Sequence, residues 1–299
     1  MFLAGIVLGF VGCQNRSESQ WSAPEFLSSG LSGEPLEVGV AIDSSGNPHV
    51  VWAQSLNYVG DEIYYTHAQG SVWYPPMNVS QTLTPSHAPL IHIDNRGNQH
   101  LFWSEERIGI PTRRPRPSDV FWRLRQDSTW RPAEGIFHQD TARSFPRPSV
   151  ICDSLGTLFL AMQTPRWESA FNDLGLIIRR NGIWQTPRIF RPLFMPSIAR
   201  ERGGTLWIAF IWGIVDSVVP YDHNSVFAMF STNSGQTWSD SILISRSGLK
   251  PAFYPKMIID SFGRRHIVWF QSLRDNDLYP RALYHSSSED GIVWQQAEN

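Results

Sequence analysis

Val40-Ala41-Ile42-Asp43-Ser44-Ser45-Gly46-Asn47-Pro48-His49-Val50-Val51-Trp52 carries the pattern that decides the fold. Two runs of strand-forming residues flank a polar centre in which an acidic residue stands three places before a glycine. A carboxylate at that place accepts backbone N–H groups, and the glycine supplies a positive φ, so the stretch reads as two strands joined by a tight turn. It returns as Ile91-His92-Ile93-Asp94-Asn95-Arg96-Gly97-Asn98-Gln99-His100-Leu101-Phe102-Trp103. Further copies centre on Asp153 and Gly156, Glu201 and Gly204, and Asp260 and Gly263.

Each copy leads into a second half: an aromatic and aliphatic strand, a short polar turn, and a tryptophan opening a last strand. Ile63-Tyr64-Tyr65 leads to Trp73, Val120-Phe121-Trp122 to Trp130, Leu176-Ile177-Ile178 to Trp184, Val226-Phe227-Ala228 to Trp238, and Ala282-Leu283-Tyr284 to Trp294. Four short strands in a period of 52 to 57 residues, repeated five times, predict an all-β propeller of four-stranded blades. The modules fall near 36–80, 87–137, 147–190, 195–246 and 254–299 within a propeller spanning 21–299. Residues 21–28, opened by Trp21, read as an orphan outer strand. Six outer strands for five sets of inner ones lead to the expectation of a six-bladed ring truncated near the C-terminus, with a five-bladed ring as the alternative.

Ser231-Thr232-Asn233-Ser234-Gly235-Gln236-Thr237-Trp238 resembles the Asp-box, S-x-[DN]-x-G-x-x-W, of the sialidase-like (BNR-repeat) propellers. The turns before Trp294 and Trp73 are degraded versions, and those before Trp130 and Trp184 are shorter. The resemblance implies that Ser231, Asn233, Gly235 and Trp238 form a structural turn on the rim away from any active site; Asp43, Asp94, Asp153 and Asp260 read from their own turn chemistry as structural residues of the first hairpins. It also implies an exo-glycoside hydrolase in which three arginines hold a substrate carboxylate, a tyrosine backed by a glutamate is the nucleophile, and an aspartate is the acid/base. Candidates are Arg107, Arg143, Arg147 and Arg274; Glu105, with Glu62 and Glu106; Asp275, with Asp61 and Asp222; and Tyr254, with Tyr221. The family's early Arg-Ile-Pro signature is absent from the first module, and Arg107-Ile108-Gly109-Ile110-Pro111 is interrupted.

These candidates lie in the loops joining second to third strands and one blade to the next, where a rigid β scaffold carries function. Trp167 and Trp212, outside the regular tryptophan series, are placed to stack on a sugar, and Arg113, Arg114 and Arg116 form a proline-stiffened basic loop suited to an anionic glycan or a protein partner. Asp275 and Asp277 could offer oxygens to Ca²⁺ but lack a full alternating ligand loop, and no other cofactor or metal is expected. His49, His100 and His266 share one register in separate modules and read as structural hydrogen-bonders.

Phe2 to Gly12 form an apolar run too short to span a bilayer, ending at Cys13 and followed by a polar linker at 14–20. Phe10-Val11-Gly12-Cys13 resembles a bacterial lipobox, which implies a signal peptide at 1–13, acylation at Cys13, and a protein held at the cell envelope, or else secreted. With Cys13 acylated, Cys152 has no disulfide partner. Charged residues are 17% of the chain and the net charge is −2, so no global field draws nucleic acid, and a membrane is met through the lipid alone. The leading expectation is a propeller that binds a glycan or envelope protein through its loop face. A sialidase-like hydrolase and a structural part of an envelope assembly are the alternatives.

Overall fold

A computed structural model describes residues 23–56, 60–107, 118–138, 146–165, 172–212, 224–245, 250–275, 279 and 281–298. No helix occurs among them, and the strands form five antiparallel sheets, the blades of a five-bladed β-propeller. Blade 1 contains β1 (Pro35–Ile42), β2 (Pro48–Ser55), β3 (Asp61–Gln69), β4 (Val72–Trp73) and β5 (Met77–Asn78). Blade 2 contains β6 (Ser86–Ile93), β7 (Gln99–Glu106), β8 (Ser118–Gln126), β9 (Thr129–Trp130) and β10 (Glu134–Phe137). Blade 3 contains β11 (Ser149–Cys152), β12 (Leu158–Pro165), β13 (Asn172–Arg180), β14 (Ile183–Trp184) and β15 (Arg188–Phe190). Blade 4 contains β16 (Leu193–Arg200), β17 (Leu206–Trp212), β18 (Ser225–Ser231) and β19 (Ile242–Leu243). Blade 5 contains β20 (Ala252–Ile259), β21 (Arg265–Ser272) and β22 (Arg281–Ser288), and its outer edge is an isolated bridge between His285 and Glu298.

The quoted stretch folds as the turn chemistry dictates. Asp43 Oδ1 accepts the N–H groups of Ser45 and Asn47, and Gly46 takes φ 85°. Asp94, Asp153 and Asp260 repeat the arrangement, with Gly97, Gly156 and Gly263 also at positive φ. A histidine one strand on faces the same carboxylate in three blades, at 3.6 Å for His49–Asp43, 3.4 Å for His100–Asp94 and 3.3 Å for His266–Asp260. The second turn is equally local. Ser231 Oγ accepts the Gly235 N–H, Asn233 Oδ1 accepts that of Thr237, and Trp238 Nε1 donates to the Gly235 carbonyl. Ser288, Asp290, Gly291 and Trp294 form the same cage.

The second strand of each blade is the most deeply buried. Leu206-Trp207-Ile208-Ala209-Phe210-Ile211 is apolar throughout because both faces of the blade are packed against neighbours. Alternate residues feed different clusters: Leu101 and Trp103 face blade 1, whereas Phe102 faces blade 3. Four such clusters join blades 1 to 2, 2 to 3, 3 to 4 and 4 to 5. Among the described residues no fifth cluster joins blade 5 to blade 1. On that seam Ile258, Phe270 and Leu283 of blade 5 and Val38 and Ile42 of blade 1 are exposed, while Val50 and Trp52 on the same face of blade 1 lie buried.

Two segments differ from the sequence reading. Residues 23–28 form coil and turn instead of an outer strand, and the chain reaches blade 1 through a bond from Gln54 Nε2 to the Ser32 carbonyl. The regular tryptophans of blades 1 to 3 end strands of only two residues instead of opening a last strand, and the blade edge is completed by β5, β10 and β15, which pair with the third strand further along.

Candidate functional site

The first strands stand side by side around the axis, β1 beside β6, β6 beside β11, β11 beside β16 and β16 beside β20. Each begins on the loop face, and four of them open with a bulge, marked by register shifts between Leu36 and Val38, His87 and Leu90, Phe194 and Ser197, and Phe253 and Lys256. The bulged residues hold positive φ: Glu37 at 38°, Ala88 at 50°, Met195 at 53° and Tyr254 at 53°. Arg147 is their counterpart in blade 3, at the same distance before its turn glycine. Bulges re-aim side chains at the cost of a strained backbone, which is why they gather at binding sites.

Here they aim at one another. Glu37 Oε1 meets Arg147 Nη2 at 3.3 Å, joining blade 1 to blade 3. Glu37 Oε2 accepts the Ala88 N–H of blade 2 at 2.7 Å. The Arg147 guanidinium lies 5.9 Å from the centre of the Tyr254 ring in blade 5, and the Tyr254 N–H points to Met195 Sδ in blade 4 at 3.4 Å. All five blades thus meet at the channel mouth. Arg147 and Tyr254 remain exposed, so a ligand can reach both. Two residues beyond Tyr254 stands Lys256. Part of its surface meets solvent, but the protein packed around the channel disfavours its charged form, and repulsion from Arg147 adds to this, so its pKa lies below the usual lysine range.

Beside this mouth, where blades 1 and 2 adjoin, His87 sits between two carboxylates. Its Nδ1 is 3.4 Å from Asp61 Oδ2 and its Nε2 is 3.5 Å from Glu106 Oε1. Glu106 is buried, and its Oε2 accepts no hydrogen bond. An imidazole flanked by two carboxylates can hold a proton and pass it on, which is the chemistry of general acid–base catalysis.

The sequence candidates divide between these places and others. Arg147 and Tyr254 are at the mouth. Glu105 and Glu62 are buried supports: Glu105 accepts from Thr84 and from Trp103 Nε1, and Glu62 accepts from Ser80. Arg107 is held by Asp119 through Nε at 3.0 Å and Nη2 at 2.8 Å. Arg274 follows β21 in a turn in which its N–H donates to Ser272 Oγ, and Asp275 beside it is exposed. Among the described arginines, Arg147 alone reaches Glu37 and Tyr254. Trp212 ends β17 half exposed, with its ring 5.2 Å from that of Phe227. Arg113, Arg114, Arg116, Arg143, Trp167, Tyr221, Asp222, Asp277 and Cys13 lie outside the described residues. Cys152 is half buried, and its thiol is pushed up to about 11 by burial, so it is a poor nucleophile at neutral pH. Among the described residues no group of three or more His, Cys, Asp or Glu is arranged to hold a metal ion.

Sequence reasoning missed Glu37, Lys256 and the role of His87. A signal exists for the first two: Glu37 and Lys256 are the single charged residues of β1 and β20, whose other residues carry no charge. For His87 none exists, because its carboxylates come from β3 of one blade and β7 of another.

The sequence matches no family model and no curated protein. Solved structures do match in shape. A protein of unknown function from Dyadobacter fermentans superposes with a TM-score of 0.63 at 10% identity, over 87% of this chain and 81% of its own. The Hadza microbial sialidase Hz136 gives 0.59 at 16% identity, and this chain spans 58% of its length. The Penicillium chrysogenum α-L-arabinanase, solved with arabinobiose, gives 0.60 at 12% identity, over 84% and 80% of the two chains. At these identities the likeness is one of fold.

Proposed function

We propose that this chain is a glycan-binding propeller that takes an acidic saccharide at the channel mouth. The carrying observation is the Glu37–Arg147 pair above Tyr254. Glu37 gives Arg147 a carboxylate from within the protein, and a sugar carboxylate can take the same place while its ring stacks on the exposed tyrosine and Lys256 adds a second cation. The sialidases and arabinanase of similar shape support the carbohydrate class. Acylation at Cys13 would hold this mouth at the envelope surface, and the acyl mass on the exported protein's N-terminal peptide is the measurement that checks it.

Titration calorimetry with methyl sialoside and methyl galacturonide tests the binding reading. Arg147→Ala is expected to weaken binding about tenfold or more, the loss of a charge-assisted bond. Equal affinity in the variant sinks the mouth as the site. A second reading, cleavage of the glycan, is favoured by the His87 array between Asp61 and Glu106. It requires release from a fluorogenic sialoside that falls in both His87→Ala and Tyr254→Phe. The binding reading expects no release above either variant.

A further inference from the structure

On the face opposite the mouth, where the hairpin turns lie, a cleft of about 440 Å³ runs between blades 2 and 3 and reaches the rim turn of blade 4. Its walls are the turn from Asp94 to Asn98, the turn from Asp153 to Thr157, the end of β13 with Asn181 and Gly182, and Ser234 with Gln236. Three arginines line it: Arg96, Arg179 and Arg180. We infer that this cleft is a second ligand site, separate from the channel mouth, for a small saccharide bearing an oxyanion such as a sulfate or carboxylate.

The charge balance in the cleft is the first support. Its two carboxylates are already committed to their own turns. Asp94 accepts from the Arg96 and Asn98 N–H groups, the Asn98 side chain and the His100 ring, and Asp153 accepts from the N–H groups of Leu155 and Thr157. Neither is bonded to any of the three guanidinium groups. Arg96 and Arg180 have no ion-pair partner among the described residues.

Arg179 is the second support. Its guanidinium stacks on Trp122, 4.4 Å from the ring centre, and lies 5.9 Å from that of Trp184. A guanidinium stacked by its face keeps its N–H edge for an acceptor. That edge includes the Nε–H, which is buried and donates to nothing. Desolvation, the first cause, holds the Arg179 pKa below the usual arginine range, so an anion arriving there gains from a weakly solvated charge.

The remaining lining fits a sugar. Asn98, Asn181, Gln126 and Gln236 offer amides to hydroxyl groups, and Leu124 and Leu155 give apolar wall to a ring face. The volume is that of a mono- to disaccharide site. Beyond Arg180 a smaller groove continues past Arg188, whose guanidinium is held by the Gln236 carbonyl at 2.7 Å, so the basic surface extends towards blade 4.

The test is binding of glucose 6-sulfate to the full chain, with glucose and inorganic sulfate as separate arms at matched ionic strength. Binding of glucose 6-sulfate is expected to exceed that of both arms, to weaken about tenfold in the Arg96→Gln/Arg180→Gln double variant, and to persist in Arg147→Ala. The single Arg180→Gln variant, on a rim side chain without a partner, gives an intermediate loss and guards against a folding defect in the double. Equal binding in wild type and double variant overturns the site, as does loss in Arg147→Ala alone, which would move the ligand to the mouth. Sulfate binding as strongly as the sugar sulfate overturns the saccharide class.

Discussion

At the scale of single residues, several side chains have ionisations set by burial. His92, in β6 beside His100, is shifted down to about 4, first by desolvation and then by the charge of His100. His49, His67 and His285 are shifted down as well, desolvation leading in each. The folded protein therefore keeps these rings neutral where the unfolded chain, with an ordinary value of 6.5, takes up protons. Since the unfolded state binds more protons over that window, stability is full above pH 6.5 and falls as pH drops towards 4. For His92, whose two values lie well apart, the slope approaches about 1.4 kcal/mol per pH unit between them, and the other rings add to it in the same direction. Urea midpoints measured from pH 7.5 to 4 should fall, and His92→Gln should flatten part of the decline. An unchanged slope in the variant would assign the acid lability to other groups.

At the scale of the element, the repeated hairpin turn is the unit that sets strand register. Asp94 is the most buried of its turn carboxylates, and hydrogen bonds from two backbone N–H groups, Asn98 and His100 hold its pKa well below the usual carboxylate range against the opposing effect of desolvation. Asp94→Ala leaves those donors without an acceptor inside the turn. A loss of about 2 to 4 kcal/mol is expected from several unsatisfied buried groups, against about 1 kcal/mol for Asp43→Ala in the more exposed first hairpin. Chemical denaturation of the two variants checks the order, and equal losses would show that burial of the turn does not matter.

At the scale of the whole molecule, the blades hold one another through apolar clusters at four interfaces, and the seam between blades 5 and 1 presents exposed Ile258, Phe270 and Leu283. Neighbouring residues of β21 should then behave in opposite ways. Trp269 is 1% exposed against blade 4, whereas Phe270 is 45% exposed on the seam. Trp269→Ala is expected to cost about 3 to 5 kcal/mol, the price of a core cavity, and Phe270→Ser less than about 1 kcal/mol. Equal costs in denaturant titrations would mean that the seam is covered in solution.

Much of the architecture is legible in the residues alone, because it is local. The acidic residue, glycine and flanking β-rich runs of Val40 to Trp52 make a hairpin by short-range hydrogen bonding, and its fivefold return makes blades that can bury their faces only by stacking on one another. The same locality explains why Arg147 and Tyr254 could be named from their place at blade junctions. Tertiary structure alone decided that Glu37 meets Arg147 across the axis, that His87 lies between Asp61 and Glu106, and that Arg96 shares a cleft with Arg179 and Arg180. In each case the partners come from different blades or different strands, separated by tens of residues, and their meeting depends on how the sheets twist and stack rather than on any spacing along the chain.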